Sequence, residues 1–227
     1  MYKYSKANLD DHVFHFIYGC AMHDAILQKA FEGKKDWVGK VTEAEKLVKG
    51  YIGRILDGNF RNDNATTRDA HEKAFLDTAN AVCHAINTSE LKASKDCLFS
   101  FGNAQKLINM TVKHVYAHTY SNASIRECFR HCHCPLDSIM LSKVYTAYRK
   151  AYGPAKTRVD LGCSDDFHVA WGKEGADGNL QKPLTELPSR YAAFQTAIKA
   201  LVSADGGDCF AIEFDYLVWK SEAASKM

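Results

Sequence analysis

The sequence lacks the features that would place it in several large classes. No apolar run approaches the ~20 residues that a bilayer-spanning helix needs, so no membrane partner is expected. The opening stretch, MYKYSKANLDDHVFHF, has no basic segment followed by an apolar one, so no export signal is expected. The eight cysteines then read as reduced thiols in a cytoplasmic protein. An excess of one charge sign is also missing: 29 Lys and Arg oppose 27 Asp and Glu, leaving a formal net charge of +2. That balance permits nucleic-acid binding without arguing for it, because a local basic face matters more than the total. There is no internal repeat and no low-complexity segment. Strand-like alternation is scarce, and CFAIEFDY at 209–216 is the one ambiguous run.

What is present is helical periodicity. The chain of 227 residues is long enough to bury a sizeable core, as one large domain or two small lobes. Apolar spacing predicts helices over 8–32, 35–57, 66–87, 103–119, 138–152, 188–204 and 209–223. DGNFRNDNATT, at 57–67, reads as a polar loop, and 153–187 as the longest irregular region. The expected fold is therefore all-α and the expected state a monomer. Residues 90–152 form one lobe, set against a second built from 1–89 and 153–227.

The helix over 103–119 has the cleanest pattern. Ala104, Leu107, Ile108, Thr111, Val112, Val115 and Tyr116 make one apolar stripe, while Lys106, Asn109, Met110 and Lys113 lie off it. Gly102 reads as a turn glycine opening the helix, which puts Lys106 in the first turn. A cation is unfavourable there, because the helix N-terminus already carries partial positive charge. A structural lysine gains nothing from that place, whereas a nucleophile does, since the neutral amine is the reactive form. Further on, Pro135-Leu136-Asp137 sets an aspartate where a helix cap is expected.

CLFSFGNAQK, at 97–106, resembles half of a helix–hairpin–helix, with Gly102-Asn103-Ala104-Gln105-Lys106 similar to the G-x-G-x-K hairpin of base-excision DNA glycosylases. Pro135-Leu136-Asp137 resembles the P-x-D of the same superfamily. The Gln105-Lys106 pair, with Lys113 seven residues on, looks closest to the archaeal 8-oxoguanine DNA glycosylases. The string FGNAQKLINMT also resembles a bacterial group, with a weaker likeness to a branch used against phage DNA carrying modified bases. The resemblance covers roughly residues 97–145. It implies a base-flipping enzyme acting on double-stranded DNA without a cofactor. Lys106 would be the nucleophile and Asp137 the essential carboxylate. Gly102, Asn103, Gln105 and Lys113 would meet DNA, and His133, Cys134, Phe167, His168 and Trp171 would line the base pocket. Trp37 is a further candidate for stacking on a base, and Lys143, Arg149, Lys150, Lys156 and Arg158 for following the phosphates.

Other readings of the same residues exist. Cys128, His131, Cys132, His133 and Cys134 are metal-ligand types, but C-x2-C spacing and a second paired set are absent, so no metal is expected. The four-cysteine iron–sulfur pattern of some helix–hairpin–helix glycosylases is also missing near the C-terminus. Arg126 and His131 spell R-x4-H, the signature of the all-α HEPN ribonucleases, which offers a rival enzyme. A helical DNA-binding module without catalysis is the third class.

Overall fold

The computed structural model describes residues 9–26, 42–88, 99–163, 183–204 and 209–218. Among these there is no strand, and the all-α expectation holds. The helices are α1 (Asp11–Ile26), α2 (Thr42–Leu56), α3 (Ala65–Thr88), α4 (Phe101–Thr119), α5 (Ala123–Arg126), α6 (Ser138–Tyr152), α7 (Pro154–Leu161) and α8 (Ser189–Ala204). Short 3-10 turns cover Glu127–Phe129 and Ala211–Glu213. No helix among the described residues is long and apolar enough to cross a membrane.

One ambiguity resolves and two sequence expectations change. CFAIEFDY, read as part of a helix over 209–223, is not a strand: Ala211–Glu213 is a 3-10 turn and 214–218 is helical, burying Phe210, Ile212 and Phe214. The region from 153 on is not wholly irregular, because α7 occupies its start. Gly153-Pro154 reads as a break, and it is one, but only between two helices. Gly153 takes φ 83°, a conformation open to glycine, and ends α6 by donating its N–H to the Arg149 carbonyl at 2.9 Å. Pro154 then starts α7 at a position where a missing N–H costs nothing. Finally, α4 begins at Phe101, two residues early. Gly102 is its second residue and has no positive φ, so it makes no turn.

Helix α4 is the axis of the fold. Its N-terminus is fixed by a reciprocal cap. The Ser100 hydroxyl accepts from the Asn103 N–H at 3.4 Å, and the Asn103 side chain accepts from the Ser100 N–H at 3.1 Å. The Asn103 amide also donates to the Ala25 carbonyl at 2.9 Å, tying the end of α1 to the start of α4. α4 packs against α1 and α3, while α6 packs against α7 and α8. Buried side chains from Phe14 to Phe214 form one contiguous core.

A sheetless fold must still satisfy the backbone of its extended segments. Here four carboxamides do so, each offering one donor and one acceptor to a peptide unit. Asn87 holds Phe99 by two bonds of 2.9 and 2.7 Å. Asn80 holds Leu184 at 2.8 and 3.1 Å. Gln195 holds Cys134 at 3.0 and 2.7 Å, and Gln105 holds Leu136 at 2.6 and 3.2 Å.

The last two clamps grip one extended strap, His131 to Asp137, which is buried but for Asp137 itself. Three histidines meet here, His71 from α3 and His131 and His133 of the strap itself. The His71 ring sits 6.2 Å from that of His131 and 5.4 Å from that of His133. His133 is enclosed by Phe75 and Tyr191 and shares a 2.8 Å hydrogen bond with the Tyr191 hydroxyl. Burial is the main force disfavouring the charged ring in both, holding His71 at about 3 and His133 well below its ordinary value.

The sign of the pH dependence follows. The unfolded chain takes up these protons below about pH 6.5, while the folded chain does not until far lower. Stability therefore falls as pH drops, by about 1.4 kcal/mol per pH unit for each ring. Denaturant midpoints measured between pH 7 and 5 should decline, and His71→Phe should flatten the decline. A midpoint constant over that window would contradict the buried-neutral assignment.

Candidate functional site

Two residues 31 positions apart meet where the strap ends. Lys106 Nζ lies 3.7 Å from Asp137 Oδ2. Both remain accessible, with side-chain exposures of 21% and 38%. Asp137 caps α6: its Oδ1 accepts from the Met140 N–H at 2.8 Å, leaving Oδ2 to face the amine. The helix over 138–152 and its aspartate cap agree with the sequence reading.

The early start of α4 corrects the argument for Lys106. It is the sixth helical residue, in the second turn, where the macrodipole has already faded. Its environment is set instead by the facing carboxylate. The neighbouring Gln105 holds that carboxylate in place. Its side chain bonds both the N–H and the C=O of Leu136, the residue just before Asp137. On the strap's other side Gln195 holds Cys134 in the same way. Asn109 supports Gln105, donating to its Oε1 at 3.3 Å and bonding the Tyr191 hydroxyl at 3.0 Å. Lys106 and Asp137 are thus adjacent to two ends of one clamp, and their separation is fixed by buried amides rather than by their own attraction.

Other residues singled out in the sequence have structural partners. Asn103 caps α4, and Gln105 is buried in the clamp. Lys113 is buried too, ion-paired with Asp215 and lying 5.4 Å from the centre of the Tyr216 ring. Tyr216 donates to the Lys113 carbonyl at 3.1 Å, so this pair fastens the last described segment to α4. His133 and Cys134 are enclosed by protein, at 2% and 0% exposure. Burial pushes the Cys134 thiol well up, which keeps it protonated and unreactive. Four of these five side chains are buried against protein, and Asn103 is half-buried in its cap. Phe167, His168, Trp171 and Trp37 lie outside the described residues, as does the segment before Phe99 that would complete a hairpin. Arg149, Lys150, Lys156 and Arg158 are exposed on α6 and α7, with Lys156 paired to Asp160 at 2.9 Å and Lys143 half-buried.

The R-x4-H pair is divided between elements. Arg126 ends α5 and is bound by Glu213 at 3.1 Å, by the Tyr116 hydroxyl at 3.2 Å and by the Phe210 ring at 4.5 Å. His131 begins the strap, its Nε2 2.9 Å from the Asn62 carbonyl oxygen. Both side chains brace the fold. Among the described residues no group of three or more His, Cys, Asp or Glu side chains converges as a metal site would.

Sequence reasoning missed Gln195, Tyr191, Glu213 and Asp215, each more than 50 positions from its partner. The available signal was buried polarity: Gln195 and Tyr191 lie among apolar residues on α8, where an unpaired carboxamide would be costly.

Comparison with known protein families, with curated protein sequences and with solved structures finds no match to this chain. The site is therefore interpreted from its own geometry.

Gln105→Leu removes four side-chain bonds, one of them to the Gly102 carbonyl at 3.1 Å, and strands two peptide groups of the strap. It should lower stability by about 2–4 kcal/mol, each unpaired buried group costing about 1–3 kcal/mol. Urea unfolding measures this. Loss below about 1 kcal/mol, the net value of one ordinary hydrogen bond, would mean the clamp is not what fixes Asp137.

Proposed function

We propose that this chain is a DNA N-glycosylase of helix–hairpin–helix type. It flips a damaged or modified base from double-stranded DNA and releases it, leaving an abasic site. The single observation that carries the reading is the meeting of Lys106 and Asp137 at 3.7 Å across 31 residues of chain. An accessible amine beside an accessible carboxylate at a helix N-terminus fits nucleophilic displacement at a sugar carbon.

In this reading Lys106 first gives up a proton to solvent water, and the neutral amine attacks C1′ of the flipped nucleotide. The N-glycosidic bond breaks and its electron pair leaves with the base. Asp137 faces the developing positive charge on the sugar and stabilises it. It takes the proton released by the newly bonded nitrogen and passes it to the departing base. Ring opening gives a Schiff base on Lys106. Water hydrolyses it to an abasic site, or elimination first cleaves the strand. The α6 N-terminus, with Ile139 about half exposed beside Asp137, would lie against the duplex. The two-lobe arrangement, with DNA entering a cleft between residues 90–152 and the rest, belongs to the same proposal. So do the monomeric state and the cytoplasmic location.

The substrate base is either 8-oxoguanine or a bulky modified pyrimidine such as glucosylated hydroxymethylcytosine of phage DNA. The second choice would make the protein a defence enzyme. The experiment covers both. Oligonucleotides with 8-oxoguanine, uracil or alkylated bases, and phage DNA with normal or modified cytosine, are assayed for abasic sites. Wild type should act on one class. Lys106→Ala and Asp137→Asn should each lose at least a hundredfold in rate, about 2.7 kcal/mol of barrier. Thermal midpoints should stay near wild type, because a part-exposed ion pair contributes ~1 kcal/mol or less. Full activity in Lys106→Ala would remove the nucleophile, and DNA binding without abasic sites would leave a non-catalytic module. RNA cleavage lost on changing Arg126 or His131 would establish the ribonuclease instead.

A further inference from the structure

A second feature stands away from Lys106, at the other end of the strap. A cleft of about 370 Å³ opens between the first turn of α3, the second half of α8 and His131. Its wall holds three basic side chains, Arg68, Arg130 and Lys199, each from a different element. One of them is already neutralised. Arg130 pairs with Asp63 at 3.2 Å and with Glu127 at 2.5 Å. The side chains of the other two make no hydrogen bond and no ion pair among the described residues, although the Glu72 carboxylate acts on Lys199.

Arg68 is exposed at the mouth of the cleft, and Lys199 is half-buried in its wall. Arg68 sits in the opening turn of a 24-residue helix that has no acidic residue there to balance its partial positive charge. Asn64 caps the helix, accepting from the Thr67 N–H at 2.8 Å, and lines the same cleft. For Lys199, burial is the main force disfavouring the charged form, and the pull of the Glu72 carboxylate outweighs the repulsion from Arg68. His131 adds a ring whose Nε2 lies 2.9 Å from the Asn62 carbonyl oxygen. Asp63, the one carboxylate on the wall, is 73% exposed and turned to Arg130. Two basic side chains with no bonded carboxylate, at a helix N-terminus in a concave site, are the elements of an oxyanion receptor.

We infer that this cleft binds a phosphate group, held between Arg68, Lys199 and the first turn of α3. The group comes either from a nucleic-acid backbone or from a free phosphate or pyrophosphate. A phosphodiester in a strand would gain the two charges along with the groove shape. A free anion would gain the helix N–H groups as well. The inference does not rest on Lys106 being a nucleophile, and Lys106→Ala should retain this binding.

The test compares wild type with Arg68→Gln/Lys199→Gln. As a control for net charge, Lys46→Gln/Lys73→Gln removes two lysines exposed elsewhere, at 73% and 74%. Arg68→Lys, which keeps the charge, guards against a folding artefact. Anisotropy with a labelled 20-base-pair duplex is read at several salt concentrations, and calorimetry with orthophosphate and pyrophosphate follows. If the source is nucleic acid, the Arg68/Lys199 variant binds duplex about tenfold more weakly. Its salt slope falls by about two, one for each lost phosphate contact, and the control and Arg68→Lys stay near wild type. If the source is a free anion, duplex affinity is unchanged, and the orthophosphate or pyrophosphate binding of wild type is lost only in the Arg68/Lys199 variant. Equal behaviour of that variant and the control in both assays would overturn the inference.

Discussion

The pairing of a carboxamide with a peptide unit is the interaction on which this structure depends. The described elements are helices and turns, so an extended segment has no neighbouring strand to receive its N–H and C=O groups. An unpaired buried peptide group costs about as much as a whole hydrogen bond contributes, or more. Asn80, Asn87, Gln105 and Gln195 remove that cost at four places. Each side chain carries the same donor and acceptor pair as the peptide it meets. Two of these clamps fall on the His131–Asp137 strap and give it the rigidity a sheet would otherwise supply. The reach of Lys106 to Asp137 follows from that rigidity.

The core beneath the strap is polar in an unusual way. His71, His133, Tyr191, Asn109 and Gln105 follow one another from α3 to the start of α6, all buried. They form one network with the clamp, in which His133 bonds Tyr191, Tyr191 meets Asn109, and Asn109 bonds Gln105. Such a network specifies a unique packing when every member is satisfied. Here one atom, His71 Nδ1, is left without a partner. Burial, ring by ring, links the histidine chemistry of the strap to stability rather than to catalysis.

Much of this was legible in the sequence, and the misses have physical causes. Helix α6 and its Asp137 cap could be read directly, because a Pro-x-Asp followed by apolar periodicity is a local signal. The apolar stripe of α4 was equally clear. Its start was misplaced because Gly102 reads as a turn, while the cap is made by Ser100 and Asn103 in reciprocal bonds that leave little trace in composition. Gln105 and Lys113 read as DNA contacts through their resemblance to the Gln-Lys pair and following lysine of the archaeal glycosylases. Each turned out to be buried against a partner far along the chain, Leu136 and Asp215. A polar residue off an apolar face is solvent-exposed only if nothing distant covers it, and a single sequence does not show distant neighbours. The cationic cleft was missed for the same reason: Arg68, Arg130 and Lys199 are scattered in sequence and meet only in the fold.

Whether the Lys106 amine bonds covalently to a sugar carbon is the central claim. Borohydride reduction during turnover of the wild-type protein on its substrate DNA, followed by mass mapping of the tryptic peptides, tests it most directly. The account predicts a deoxyribose adduct on Lys106 and on no other lysine. Efficient base release with no adduct, or an adduct on a different lysine, would contradict it.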